Sequence, residues 1–89
     1  MTEQLQRARD DLEEAAKSAD SDDVREDIHE TTDAFADYAM GDTTPDHAIL
    51  DERLNTLRQV RERADGDTVD KVESAIETVE DYRETVDQA

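Results

Sequence analysis

The chain lacks several residue types on which small-protein chemistry often depends. It contains no cysteine and no tryptophan, with one proline and two glycines among 89 residues. Without cysteine there is no disulfide framework, no thiolate nucleophile and no zinc site of the usual kind. No stretch approaches the roughly 20 apolar residues of a membrane span, and the first residues lack the apolar run of a signal peptide. We therefore expect a cytoplasmic protein that makes no membrane contact.

Positive charge is scarce as well. The chain has 27 acidic and 10 basic residues, a net charge of −17, which makes nucleic acid and anionic membranes poor partners. Aspartate (16) exceeds glutamate (11), and arginine (8) exceeds lysine (2). A lysine-poor surface of short carboxylates holds water and monovalent cations, nonspecifically, when water activity is low. This composition is typical of proteins from salt-accumulating cells, where a Debye length of about 3 Å at molar salt screens the repulsion.

Large apolar side chains are also few, since leucine, isoleucine, valine and phenylalanine number 15. A chain with so few large apolar side chains and so high a net charge is expected by default to be disordered. The spacing argues otherwise, because apolar residues recur at intervals of three and four and no two-residue alternation is long enough for a strand. The pattern predicts one all-α domain, residues 1–89, built as a bundle of four short antiparallel helices. Their expected bounds are about 2–19, 21–40, 45–64 and 67–87.

The helix boundaries follow from turn and capping residues. The first two apolar stripes are out of phase between Ala19 and Val24, which favours two helices over one long helix. Gly41 is expected in the left-handed conformation that ends the second helix. Thr2 and Thr44 are expected as caps, and Pro45 as the first residue of the third helix.

The segment DGDTVD, residues 65–70, begins like a calcium loop. An EF-hand loop needs oxygen ligands at positions 5 and 12 and glycine at 6. Counted from Asp65, positions 5 and 12 are Val69 and Ile76, which belong to the apolar stripe of the fourth helix. We therefore interpret Gly66 as the C′ residue of the third helix and Asp67 or Thr68 as the N-cap of the fourth, and we expect no metal site.

Two histidines are candidates for chemistry. Glu26 and His29 have the Glu-x-x-His spacing of di-iron bundles, but the motif occurs once and lies beside the apolar stripe. His47 and Asp51 form two parts of a catalytic arrangement for which no motif marks a nucleophile. A solvated acidic face and a surface pair are the favoured interpretations. We expect no enzyme, no catalytic residue and no cofactor, and we assign the three aromatic residues to the core.

The charge is unevenly distributed along the chain. Residues 20–46 carry −9 and residues 65–89 carry −7, whereas residues 47–64 carry +1. This neutral third helix is also rich in leucine, and its arginines are expected to pair either with the second and fourth helices or with a partner chain. Because Ile49 and Leu50 are adjacent, the apolar arc is wider than one narrow stripe. We predict a homodimer or a small protein partner, with the contact near Ile49, Arg53, Leu57 and Arg61.

A PDH turn at residues 45–47 precedes a leucine-rich helix, and a YRE stands at residues 82–84. In these features, which lie mainly within residues 44–86, the chain resembles a group of short acidic haloarchaeal proteins of unknown function. It implies a haloarchaeal cytoplasm and no assigned activity. We predict a non-enzymatic protein–protein interaction module adapted to high salt. The alternative is a cation-binding or acidic mimic protein that occupies a basic partner surface.

Overall fold

The computed structural model describes residues 3–41 and 45–86, and all regular structure in that part of the chain is helical. The helices are α1 (Glu3–Ser18), α2 (Asp22–Met40), α3 (His47–Arg63) and α4 (Asp67–Thr85). The predicted all-α bundle is confirmed. Three residues separate α1 from α2, so the interpretation of two helices in this region is also confirmed.

The helices are arranged in a ring. α1 packs against α2 and α4, and α3 packs against α2 and α4, whereas no diagonal pair is in contact within the described residues. The bundle measures 39 × 21 × 17 Å. The two strongly acidic helices, α2 and α4, therefore lie diagonally opposite each other. This order keeps their carboxylates apart and places the neutral α3 between them on one side.

The core contains most of the large apolar side chains. Phe35 and Tyr38 are buried, with their ring centroids 5.6 Å apart in an edge-to-face arrangement, and Tyr82 packs partly buried against the same cluster. The assignment of the aromatic residues to the core is thus confirmed. The other large buried apolar side chains are Leu5, Leu12, Val24, Ile28, Leu50, Leu54, Leu57, Val60, Val72, Ile76 and Val79.

The ends of α2 follow the usual capping rules. Ser21 is its N-cap, and the Ser21 hydroxyl accepts a hydrogen bond from the Val24 N–H at 3.4 Å. Gly41 ends the helix with φ 86°, and its N–H donates to the carbonyls of Asp37 and Tyr38. The prediction of a left-handed Gly41 is confirmed.

The start of α3 differs from the prediction. The N-cap is Asp46, whose carboxylate accepts a hydrogen bond from the Ile49 N–H at 2.9 Å, and the helix begins at His47. Pro45 therefore precedes the cap instead of occupying the first helical position. The reason is that a carboxylate one residue after the proline reaches the free N–H groups of the first turn. Thr44 and Thr2, the other predicted caps, lie outside the described residues.

Gly66 also has a different role from the predicted one. It is the N-cap of α4, with φ 58°, and its carbonyl accepts from the N–H groups of Val69 and Asp70. α3 has already ended at the extended Ala64, so Gly66 does not serve as its C′ residue. The predicted caps Asp67 and Thr68 are the first two residues of α4 instead.

Candidate protein interface

The arginines of α3 are used mainly inside the chain. Arg58 donates from Nη2 to Oε2 of Glu80 on α4 at 2.9 Å. Arg63 forms an ion pair with Asp27 on α2. Of the two alternatives raised by the sequence, pairing with the neighbouring helices is therefore the one that these two side chains adopt.

Two further contacts connect α3 to the acidic helices. Arg53 donates from Nε to the Tyr38 hydroxyl at 3.2 Å, which links α3 to α2. Arg83 of α4 binds both carboxylate oxygens of Asp51 on α3, at 2.6 and 3.2 Å. α3 thus bridges the two acidic helices through polar contacts on both of its flanks.

The four residues of the predicted interface do not share one environment. Leu57 is fully buried in the core of the single chain, so it has no surface to offer a partner. Ile49, Arg53 and Arg61 are half-buried. A partner contact near these four residues stays a prediction, in which Leu57 can contribute only as a core residue of α3.

Ile49 and Arg53 belong to the α2–α3 seam. We use this name for the facing stripes of the two helices, where residues spaced three or four apart lie on one side of each helix. The α2 stripe consists of Asp27, Thr31, Ala34 and Tyr38, and the α3 stripe of Ile49, Arg53, Thr56, Val60 and Arg63. The packing along this seam is the least extensive of the four helix pairs.

The register of the α2–α3 seam is set by its two polar contacts. Arg63 meets Asp27 at one end, and Arg53 meets Tyr38 at the other. Because the helices are antiparallel, Ala34 and Thr56 lie across from one another between these contacts. Both are half-buried and small. The middle of the seam is therefore lined by small side chains, with a polar contact at each end.

The two histidines lie in different places. His29 is exposed and lines an open groove of about 550 Å³ between α1 and α2, together with Lys17, Arg25 and two carboxylates. His47 is half-buried, and its Nε2 lies 2.9 Å from the Val86 carbonyl at the end of α4. Asp51, the other residue of this candidate catalytic pair, accepts a hydrogen bond from Arg83. The contact of His47 therefore ties the start of α3 to the end of α4.

The segment that begins like a calcium loop enters helix α4 at Asp67, directly after its N-cap Gly66. Ile76, at the twelfth position, is buried, and Val69, at the fifth, is half-buried. Within the described ranges, no three side chains among histidine, aspartate and glutamate form a group that could hold a metal ion. Helix α4 thus uses these positions for packing.

Sequence reasoning missed the role of Arg25, the one basic residue between positions 20 and 46. Its guanidinium donates from Nη2 to the Ala19 carbonyl at 2.7 Å and from Nε to the Ala16 carbonyl at 3.4 Å, while Nη1 pairs with Asp22 at 2.9 Å. A cation at the C-terminal end of a helix satisfies its free carbonyls and its dipole. The sequence feature that could have indicated this role is the position of Arg25 as a single basic residue in an acidic segment.

The family of unknown function DUF7553 matches residues 1–85. The chain belongs to this family. The match ends where α4 ends and so spans all four helices, including α1 and α2, which lie before the residues that carry the haloarchaeal resemblance. No curated protein and no solved structure matches the chain. No helix within the described residues is long and apolar enough to cross a membrane.

Proposed function

We propose that this DUF7553 chain is a non-enzymatic protein-contact module that works at high salt. Its setting is the cytoplasm of a salt-accumulating, haloarchaeal cell, and its partner is a second copy or another small protein. The observation that carries the proposal is the α2–α3 seam, where the least extensive packing of the bundle coincides with the half-buried Ala34, Ile49 and Thr56. A partner can pack its own side chains against the small, uncharged Ala34 and Thr56 and against the apolar Ile49.

The charge of the surface supports the high-salt setting. Every ion pair in the described part of the chain joins side chains that are at least 33% exposed, so salt and water screen all of them. Such pairs offset little of the repulsion that a net charge of −17 creates. A folded chain with this surface needs counterions, and two such chains can approach each other only when the ions screen them.

The test is the molar mass in solution. Light scattering on the purified chain, over a concentration series up to high micromolar in about 2 M KCl, is expected to show a dimer, because the Debye length there is only ~3 Å or less. A folded monomer across the whole series would contradict the homodimer. Retention of one specific protein from lysate at the same salt would then identify the partner as another chain.

A second candidate is the cation-binding or acidic mimic protein. It is favoured by the exposed carboxylates along α4, none of which forms an ion pair within the described residues: Asp70, Glu73, Glu77, Asp81 and Glu84. Specific cation binding predicts that micromolar divalent ions raise the melting temperature above a molar KCl background. An unchanged melting temperature would reject the cation-binding form of this candidate.

A further inference from the structure

We infer that a second copy of this chain docks on the α2–α3 seam about a two-fold axis parallel to the helices, so that α2 of each copy faces α3 of the other. This inference rests on the proposed function and specifies its surface and geometry. It keeps Ile49 and Arg53 of the predicted contact and extends that contact from α3 to α2, while Leu57 supports α3 from the core.

The small side chains at the middle of the seam suit such a contact. Ala34 on α2 and Thr56 on α3 are half-buried, and the register set by the Arg63–Asp27 and Arg53–Tyr38 contacts places them opposite each other. Small side chains at a helix–helix contact allow two backbones to approach closely. With the axis parallel to the helices, Ala34 of one copy meets Thr56 of the other, and the same contact is repeated on the second side of the axis.

The charges of the seam select the orientation of the axis. In the proposed arrangement, the Asp27 carboxylate of one copy faces the Arg63 guanidinium of the second copy, and the reverse pair forms beside it. The two internal Asp27–Arg63 pairs thereby become one alternating group of four charges. An axis perpendicular to the helices would instead place α2 on α2, where residues 20–46 of each copy carry −9. Like charges across an interface oppose association, so the parallel axis is favoured.

The other three helix pairs pack more extensively within the chain than α2 and α3 do. The α3–α4 seam is bridged by the Asp51–Arg83 and Arg58–Glu80 pairs. At the α1–α2 seam, which carries the open groove beside His29, Arg25 binds the carbonyl of Ala19 after α1, and both helix pairs of α1 pack far more extensively than α2 with α3. The α2–α3 seam therefore combines the least internal packing with charges of both signs, which makes it the self-complementary face of the bundle.

The size of the face sets the expected affinity. Two adjacent helices of about 28 Å length and ~10 Å diameter present roughly 560 Å² per copy. The total of about 1,100 Å² is at the lower end of specific interfaces. We therefore expect a reversible dimer with a dissociation constant in the micromolar range, in contrast to an obligate assembly.

The absence of cysteine from the chain makes the geometry directly testable. Ala34→Cys and Thr56→Cys are prepared as separate chains, mixed in equal amounts in about 2 M KCl and oxidised mildly, because a disulfide requires Cα atoms within roughly 7 Å. The matched control replaces the first chain with Ala36→Cys, also a half-buried alanine of α2. Position 36 lies four residues after Thr32 and seven after His29, both of which line the groove toward α1. Circular dichroism verifies that each variant is folded before mixing.

We expect several-fold more cross-linked dimer from the 34 and 56 mixture than from the 36 and 56 mixture. We also expect Arg53→Glu, which adds a carboxylate to the seam, to weaken association of the otherwise unmodified chain. Equal cross-linking in the two mixtures, with a dimer present by light scattering, would overturn this geometry and leave the proposed function intact. A folded monomer by light scattering would overturn both the geometry and the homodimer.

Discussion

Helices α1 and α3 occupy equivalent places in the ring, each between the two acidic helices, yet they are held there by different forces. α1 contributes small buried residues, Ala8, Ala15 and Ala16, which allow close approach of α2 and α4. Its bonds to those helices are uncharged or single-charge contacts, such as the 2.7 Å hydroxyl pair of Ser18 with Thr68 on α4. The contacts of α1 with α2 and α4 therefore depend chiefly on the close fit of small side chains.

α3 is held by larger side chains and by charge. Leu50, Leu54 and Leu57 fill the core beneath it, and the ion pairs to Asp27 and Glu80 run along its two flanks. The two helices thus show two ways in which a chain with a net charge of −17 closes a bundle. One flanking helix brings the acidic helices close through small residues, and the other places arginines between them.

The removal of salt is expected to have the largest effect on the stability of the bundle. We expect helical circular dichroism to fall sharply below roughly 0.5 M KCl, because the repulsion between carboxylates is no longer screened and the exposed ion pairs are too weak to offset it. The measurement is a salt titration followed by thermal melts. Equal helicity and equal melting temperature in about 20 mM and about 2 M KCl would show that screening is unimportant.

Leu57→Ala tests whether α3 depends on its core side chains. Leu57 is fully buried, and removal of such a side chain typically lowers the free energy of unfolding by about 2–5 kcal/mol. Denaturant unfolding in molar KCl measures the loss. Ile49→Ala is the control, since Ile49 is only half-buried and should cost clearly less. Equal losses at the two positions would mean that α3 is not anchored as described.

Ala15→Leu tests whether α1 depends on small side chains. Ala15 is fully buried, so the added atoms must displace close-packed neighbours, at a typical cost of about 1–3 kcal/mol. Ala48→Leu on the exposed surface of α3 is the matched substitution and should change stability by about 0.5 kcal/mol or less. A neutral or stabilising Ala15→Leu would refute the role of shape at the α1 seams.

The smallest expected effect is the coupling between Asp51 and Arg83. A double-mutant cycle with Asp51→Asn and Arg83→Gln is expected to give about 0.2–1 kcal/mol at the lowest salt that keeps the chain folded, and less in molar KCl. The matched cycle uses Ser18→Ala and Thr68→Val, whose hydroxyl pair carries no charge. Its coupling should be independent of salt. If the Asp51–Arg83 coupling did not change with salt, charge would not distinguish the contacts of α3 from those of α1.

The candidate interface was predictable in part. Ile49 and Leu57 both extend the apolar arc of α3 in the sequence, and nothing local distinguishes them. Their burial differs because α2 and α4 close over Leu57 and leave Ile49 at the edge of the seam. The use of Arg58 and Arg63 within the chain likewise depends on which carboxylates the ring brings near them.

The sequence alone determined the elements of this protein: four helices, a left-handed Gly41 and aromatic side chains in the core. These features follow from local rules, since the 3.6-residue period and the conformational freedom of glycine act within a few residues. Tertiary structure decided the diagonal placement of the acidic helices, the capping role of Arg25 and the assignment of Gly66 to α4. Each of these features depends on contacts or helix ends to which more than one segment contributes. The order of the helices in the ring is set by the combined free energy of all four helix–helix contacts, which no single segment of the sequence encodes.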